Sequence, residues 1–387
     1  MINFKVILNV LGILLLALSA LMLFPLIADL IKDNSTWISF AISLGITASA
    51  GITLILSTRD EISKKLIMQD AFLITTLSWI FVCFFGSLPF YLSDINFSFT
   101  DSIFESMSGV TTTGSTIIQD VESMPHGILI WRALLQWIGG VGIIVMAVSI
   151  LPVLQVGGMQ VFRTESSDTT EKILPKTTQI ASAVILIYLV LTLLCLVSYW
   201  IFGMNIFDAL VHSMTTIATG GFSSKNESLA SFNIISLEYI SCLFMIIASL
   251  PILIYLEVWN GKFKKILNDT QITTFIYLIL ASSILVIFYL WFNDIKNIEE
   301  SIRLGLFNVI SIITGTGYTT DNFNLWGPFP IYLLFFGMFI GGCAGSTTCG
   351  IKIFRFQILF ETLKNQIQKL LHPHGVFVPH YNHKKLK

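Results

Sequence analysis

The chain has 387 residues, 54% of them hydrophobic and only 12% Asp, Glu, Lys or Arg, with a net charge of −1 and a mean hydropathy of +0.80. Soluble domains keep roughly a quarter of their residues charged, so a soluble globular fold is excluded. No nucleic-acid partner is expected.

In chain order, apolar runs of about 20 residues, the thickness of a bilayer core, predict eight spans. They lie near 5–28, 37–57, 70–92, 128–152, 179–203, 234–258, 272–293 and 328–371, the last one interrupted. The first run is longer than a signal-peptide core and has no small-x-small cleavage site before Asp29, so it is expected to stay as a span. Cys83, Cys195, Cys242, Cys343 and Cys349 lie in or beside apolar runs, without a CxxC pair or zinc-spaced histidines. They read as unpaired structural thiols. Of the 22 Lys and Arg residues, 17 fall in segments on one side if the N-terminus is cytoplasmic. That bias predicts both termini inside and 93–127, 204–233 and 294–327 outside.

Those three outer segments repeat. Aligned on Gly114, Gly221 and Gly317, they read FESMSGVTTTGS, VHSMTTIATGGF and FNVISIITGTGY. Nine residues before each glycine stands a polar residue: Glu105, His212 or Asn308. Six before is a hydroxyl: Ser108, Thr215 or Ser311. Four before is β-branched: Val110, Ile217 or Ile313. Each unit is an apolar span, a short amphipathic helix, a Thr/Gly tip and another span, which marks one duplicated unit.

Backbone that leaves helical form at membrane depth must line a water-filled cavity, because lipid satisfies none of its polar groups. Glycine supplies the positive φ that turns successive carbonyls to one axis. Carbonyl rings of that kind replace the hydration shell of a potassium ion, and the C-terminal end of the preceding helix favours a cation. The candidate filter residues are therefore Thr111, Thr112, Thr113 and Gly114; Ala218, Thr219, Gly220 and Gly221; and Thr314, Gly315, Thr316 and Gly317. Potassium is the only metal expected, as transported ion, with no organic cofactor. The alternative is that these tips are ordinary loop turns, against which their threefold recurrence stands.

SGVTTTGST, WRALLQWIGGVGIIVMAVSILP (Trp131–Pro152), TIATGGFS, ITGTGYTT and GGCAGSTTCGIKIFRF (Gly341–Phe356) resemble the TrkH/TrkG/KtrB potassium transporters. The resemblance runs from about residue 5 to 374. It implies an all-α membrane fold: two N-terminal helices over 1–66, then M1–pore helix–M2 repeats over 67–160, 161–265 and 266–371. It implies residence in the bacterial cytoplasmic membrane as a homodimer, with a TrkA-like nucleotide-binding regulatory ring on the cytoplasmic side. The polar stretch 372–387 stands where the family continues into a fourth repeat, whose tip is expected about a hundred residues after Gly317. On that ground the alternative function is a non-conducting subunit or scaffold that needs another chain to complete the pore.

The small-residue run Gly341–Gly350 interrupts the last helix. It is either a packing kink or, as the resemblance implies, an intramembrane gate built from Gly341, Gly342, Gly345, Ser346, Thr347, Thr348 and Gly350. Lys352 and Arg355 after it either serve the gate or snorkel to the inner interface. Arg132 and Gln136 are expected to brace the first pore helix through Glu105 or backbone carbonyls. Asp101 and Asp208, thirteen residues before their glycines, are expected to cap pore helices, and His212 is expected to be packed. The tail histidines His372, His374, His380 and His383 read as a solvated segment. No HExxH, GxSxG, P-loop or strand-linked GxGxxG motif is present, so no enzyme is expected.

Overall fold

The computed structural model describes residues 2–58, 68–145 and 177–372, and beyond these 375, 377, 380, 381, 384 and 385. Expectations for 59–67 and 146–176, which include the end of the fourth span and six of the inner basic residues, lie outside the described residues, as do His374 and His383.

Helices α1 (Phe4–Leu21) and α2 (Leu23–Ile31) together make the first apolar rod, followed by α3 (Trp37–Ser57) and α4 (Met68–Leu92). Then come α5 (Phe99–Val110), α6 (His126–Val145), α7 (Thr177–Ile201), α8 (Ile206–Ile217) and α9 (Ile235–Ala248). The short α10 (Ile254–Trp259) and α11 (Lys264–Asn268) lead to α12 (Thr270–Phe292), α13 (Ile298–Ile313), α14 (Pro328–Gly337) and α15 (Ile353–Leu371). Paired strands among the described residues are confined to His380–Tyr381 and Lys384–Lys385, two residues each.

Five helices, Phe4–Ile31, Trp37–Ser57, Gln69–Leu92, Ala181–Ile201 and Thr270–Phe292, are long and apolar enough to cross a bilayer. They coincide with five of the expected spans. Only 22–39% of each apolar window is buried inside the protein, so most of each surface faces outward, where only lipid satisfies it.

Two expected spans are not continuous helices. The run 234–258 ends as α9 at Ala248 and resumes as α10 at Ile254. Pro251 offers no backbone donor, and the freed groups find partners far along the chain: Ser249 O accepts from Cys343 N and Ile252 N donates to Gly345 O. The run 328–371 is helical only as α14 and α15, with the small-residue segment between them.

The chain forms two compact units, Met1–Gly140 with Asn205–Ser231, and Val141–Met204 with Phe232–Lys387. In the first, α1 and α3 pack backbone to backbone: a Cβ added at Gly12 would lie 2.9 Å from Gly51 O, and the reverse holds at Gly51. Small residues permit that approach. Trp131 on α6 is fully buried, meets Phe40 edge-on at 6.2 Å and donates its indole N–H to Gly86 O at 2.9 Å. That contact locks α6 against α3 and α4. In the second unit, Phe275, Ile279, Val286 and Leu290 bury one face of α12, and Phe307 and Ile310 bury one face of α13.

Candidate functional site

Helices α5 and α8 have 12 residues and α13 has 16, about 18 and 24 Å at 1.5 Å per residue. None reaches across a hydrocarbon core of about 30 Å. Each opens on a side-chain cap: Ser98 Oγ accepts from Asp101 N at 3.1 Å, Asn205 Oδ1 from Asp208 N at 2.8 Å, and Asn297 Oδ1 from Glu300 N at 2.9 Å. Asp101 and Asp208 are therefore third-position partners rather than the caps themselves. Asp101 returns a carboxylate to Ser98 N at 3.1 Å, the reciprocal arrangement of a capping box.

All three helices end in the same backbone turn. Thr111, Ala218 and Thr314 have φ of −81°, −73° and −73°. The next residues, Thr112, Thr219 and Gly315, are left-handed at 55°, 51° and 73°. Thr113, Gly220 and Thr316 return to negative φ, and Gly114, Gly221 and Gly317 are left-handed again at 78°, 76° and 83°. Alternation of sign over four residues turns successive carbonyls to one side of the chain, the arrangement a carbonyl filter uses. The first two tips are tied back in the same way: Thr112 N to Gly109 O and Thr113 N to Ser108 O, and Thr219 N to Thr216 O and Gly220 N to Thr215 O, all at 2.9–3.0 Å. That pair of bonds is a Schellman closure. In the third, Gly315 N bonds Ile312 O at 3.0 Å and Gly317 N bonds Ser311 O at 3.2 Å.

The first two tips lie in one unit and touch, since a Cβ at Gly114 would collide with Gly220 O. Helix α6 clamps both. Arg132 Nε donates to Glu105 Oε1 at 2.7 Å, with both side chains buried. Its Nη1 donates to Ser223 O at 3.2 Å, and the guanidinium lies 4.0 Å over the Phe222 ring. One turn on, Gln136 donates to Gly220 O at 2.7 Å and accepts from Phe222 N at 3.1 Å. Arg132 braces the first pore helix through Glu105 as expected, whereas Gln136 bonds the second tip instead. His212 is fully buried between Asp208 O at 2.8 Å and Ser223 Oγ at 3.0 Å.

The second unit holds the third tip and the interrupted segment. Gly315 faces Cys349, whose Sγ would collide with an added Cβ, whereas Gly317 has open space there. The segment 341–350 is pinned at every turn. Gly341 N bonds Ile351 O at 2.9 Å, closing its two ends together. Cys343 N bonds Ser249 O at 3.1 Å, Ala344 N bonds Gln271 Oε1 at 3.0 Å, and Thr347 Oγ1 bonds Ala248 O at 3.1 Å. Lys352 Nζ donates to Thr348 Oγ1 at 2.9 Å and to Thr348 O, and Arg355 lies 5.8 Å over Phe354. Four of the five cysteines are buried and Cys349 is exposed, and none is in a disulfide.

Charge pairing secures the loops that flank α13. Burial pushes the Asp321 carboxyl up, but hydrogen bonds from Trp326 and Lys296 outweigh it and hold the group below its ordinary range.

Three features escape a sequence reading: the left-handed threonines Thr112 and Thr219, the reach of Gln136 to the second tip, and the caps Ser98, Asn205 and Asn297. The alignment of the tips carries a signal for the first, because Gly315 stands where the others have threonine. Ser98-x-x-Asp101 carries one for the caps.

A family model described as TrkH, cation transport protein, matches residues 38–386. The chain is 39% identical to the Trk system potassium uptake protein TrkI of Halomonas elongata, over 98% of this chain and 77% of that protein. It is 35% identical to the Trk system potassium uptake protein TrkH of Escherichia coli K12, over 97% and 78%. The crystal structure of the potassium transporter TrkH from Vibrio parahaemolyticus superposes with a TM-score of 0.90 at 34% identity, over 97% of this chain and 78% of that one. The chain is a helical membrane protein and belongs to the TrkH family of cation transport proteins.

Proposed function

We propose that the chain carries potassium into the cell through a carbonyl-lined pathway. The observation that supports this most is the four-residue alternation of φ recurring in three tips, beside relatives named as potassium uptake proteins. Potassium is the transported ion. It loses its water to the carbonyls of Thr111–Gly114, Ala218–Gly221 and Thr314–Gly317, each at the partly negative end of a pore helix. Two N-terminal helices and three M1–pore helix–M2 repeats, at 67–160, 161–265 and 266–371, frame the path. The segment Gly341–Gly350, broken out of the last M2, gates it. Both termini face the cytoplasm, where a TrkA-like nucleotide-binding subunit sets the gate of a homodimer.

The test is rubidium uptake into potassium-starved cells that lack their own uptake systems. Cells carrying the chain should accumulate rubidium, and Gly221→Asp should abolish it by placing a carboxylate and a Cβ at a left-handed position. Normal uptake by Gly221→Asp at normal membrane abundance would sink the filter assignment.

A further inference from the structure

Every pore helix carries, nine residues before its glycine, a buried polar side chain with a different chemistry: Glu105, His212 and Asn308 are 0%, 0% and 1% exposed. Three unlike groups at one place suggest that a shared geometric task, not a shared reaction, explains them. The task is visible in their partners. Glu105 accepts from Thr116 Oγ1 at 2.9 Å and from Ile117 N at 3.2 Å. His212 meets Ser223 Oγ at 3.0 Å. Asn308 Nδ2 donates to Thr320 Oγ1 at 3.0 Å. Each joins the helix before a tip to a hydroxyl two or three residues after its glycine.

We propose that Glu105, His212 and Asn308 are positioning residues that set how strictly potassium is preferred over sodium, an inference that rests on the filter reading above. A tip is a single strand that bends back from its helix, and its carbonyls keep their spacing only while both limbs are fixed. The incoming limb is fixed by the Schellman closure in the first two tips and by the Gly315 and Gly317 N–H bonds in the third. The outgoing limb has no regular structure, so side-chain ties hold it, and the tie to the residue nine before is the one that recurs in all three tips. A smaller ion needs the carbonyls to close in, and a limb fastened from behind resists that movement.

Two of the ties add no net charge behind the carbonyls: Glu105 is matched by Arg132 at 2.7 Å and Asn308 is an amide, while His212 lies between a backbone carbonyl and a hydroxyl. The selected ion is thus met by dipoles, and its size is judged by how rigidly they are held. In the first and third tips a second hydroxyl reinforces the same limb: Ser108 Oγ donates to Ser115 O at 2.5 Å and Ser311 Oγ to Tyr318 O at 2.6 Å.

The third tip offers the cleanest test, because both partners are uncharged. Rubidium uptake is measured with sodium as competitor, alongside the maximal rate and membrane abundance. Thr320→Val, nearly isosteric, and Asn308→Leu should each raise competition by sodium about two- to tenfold, the worth of one hydrogen bond, with the maximal rate little changed. Thr320→Ser, which keeps the hydroxyl, should behave as the parent. The double variant should lose no more than the worse single, since both remove one interaction. If Asn308→Leu fails to reach the membrane, Thr320→Val against Thr320→Ser decides. Unchanged competition in Thr320→Val, or additive losses in the double, overturns the inference. Gly317→Ala separates the two levels: discrimination lost there but intact in Thr320→Val leaves the filter standing and removes the tie. Discrimination intact in both removes the filter reading and the tie together.

Discussion

The buried pair Arg132 and Glu105 is the most exacting single contact in the first unit. Neither group faces water, so each is tolerable only through the other and through the further bonds each makes: Thr116 Oγ1 and Ile117 N to the carboxylate, Ser223 O and the Phe222 ring to the guanidinium. Removing one member leaves an uncompensated charge in an apolar interior, at a cost of about 3–5 kcal/mol, whereas removing both leaves only two amides to accommodate. Arg132→Gln and Glu105→Gln should each lower the thermal midpoint of the detergent-purified protein sharply, and the double Gln variant should recover part of that loss. Losses that simply add would mean that the two residues act independently. A neighbouring residue-scale feature is the strain at Thr112 and Thr219, β-branched residues held left-handed. Such outliers persist only where their surroundings over-determine them, and here the Schellman closure and the contact of Gly114 with Gly220 do so.

Among the elements, the segment 341–350 differs from a loose loop in that its backbone is answered by other elements. Ala248, Ser249 and Ile252 around the end of α9 and Gln271 at the start of α12 all bond it. If the segment is the gate, these bonds favour the position shown. Gln271→Leu and Thr347→Val should each raise rubidium uptake about two- to tenfold in cells that lack a regulatory partner, the range expected for one lost hydrogen bond. Uptake unchanged in both would argue that the segment is fixed structure. The interruption itself was legible, because ten small or polar residues cannot fill an apolar helix face. The break at Ser249–Leu253 was not: the apolar run 234–258 continues past Pro251 and reads as one span, and the groups that satisfy its freed backbone come from Cys343 and Gly345, remote in sequence. Likewise the capping spacing of Ser98 and Asp101 is local and readable. The reach of Gln136 to Gly220 O depends on how α6 packs, which periodicity alone does not fix.

At the scale of the whole molecule, the exposed surface is what composition dictates. Ile31, Ile201, Tyr277 and Phe292 are 70–74% exposed on helices of the five apolar spans, a surface that only a bilayer covers. Orientation is a separate matter and rests on charge. The outer segments expected at 93–127, 204–233 and 294–327 hold few lysines and arginines, whereas the connection between α10 and α12 carries Lys262, Lys264 and Lys265. Two of these, Lys262 and Lys265, pair with Glu257 at 3.4 and 2.7 Å. Glu257 is one carboxylate against three lysines, so the connection keeps a positive surplus. By the positive-inside rule this supports the proposed cytoplasmic placement of the connection. Under that proposed orientation each tip-bearing helix would point its partly negative C-terminal end along the direction of uptake. Single cysteines placed at exposed Glu227 and Lys264 in a Cys349→Ser background test this directly. A membrane-impermeant maleimide added to intact cells should label Glu227→Cys and spare Lys264→Cys, and permeabilisation should expose the latter. Labelling of Lys264→Cys in intact cells would reverse the orientation, and with it the direction in which the pore helices face the ion.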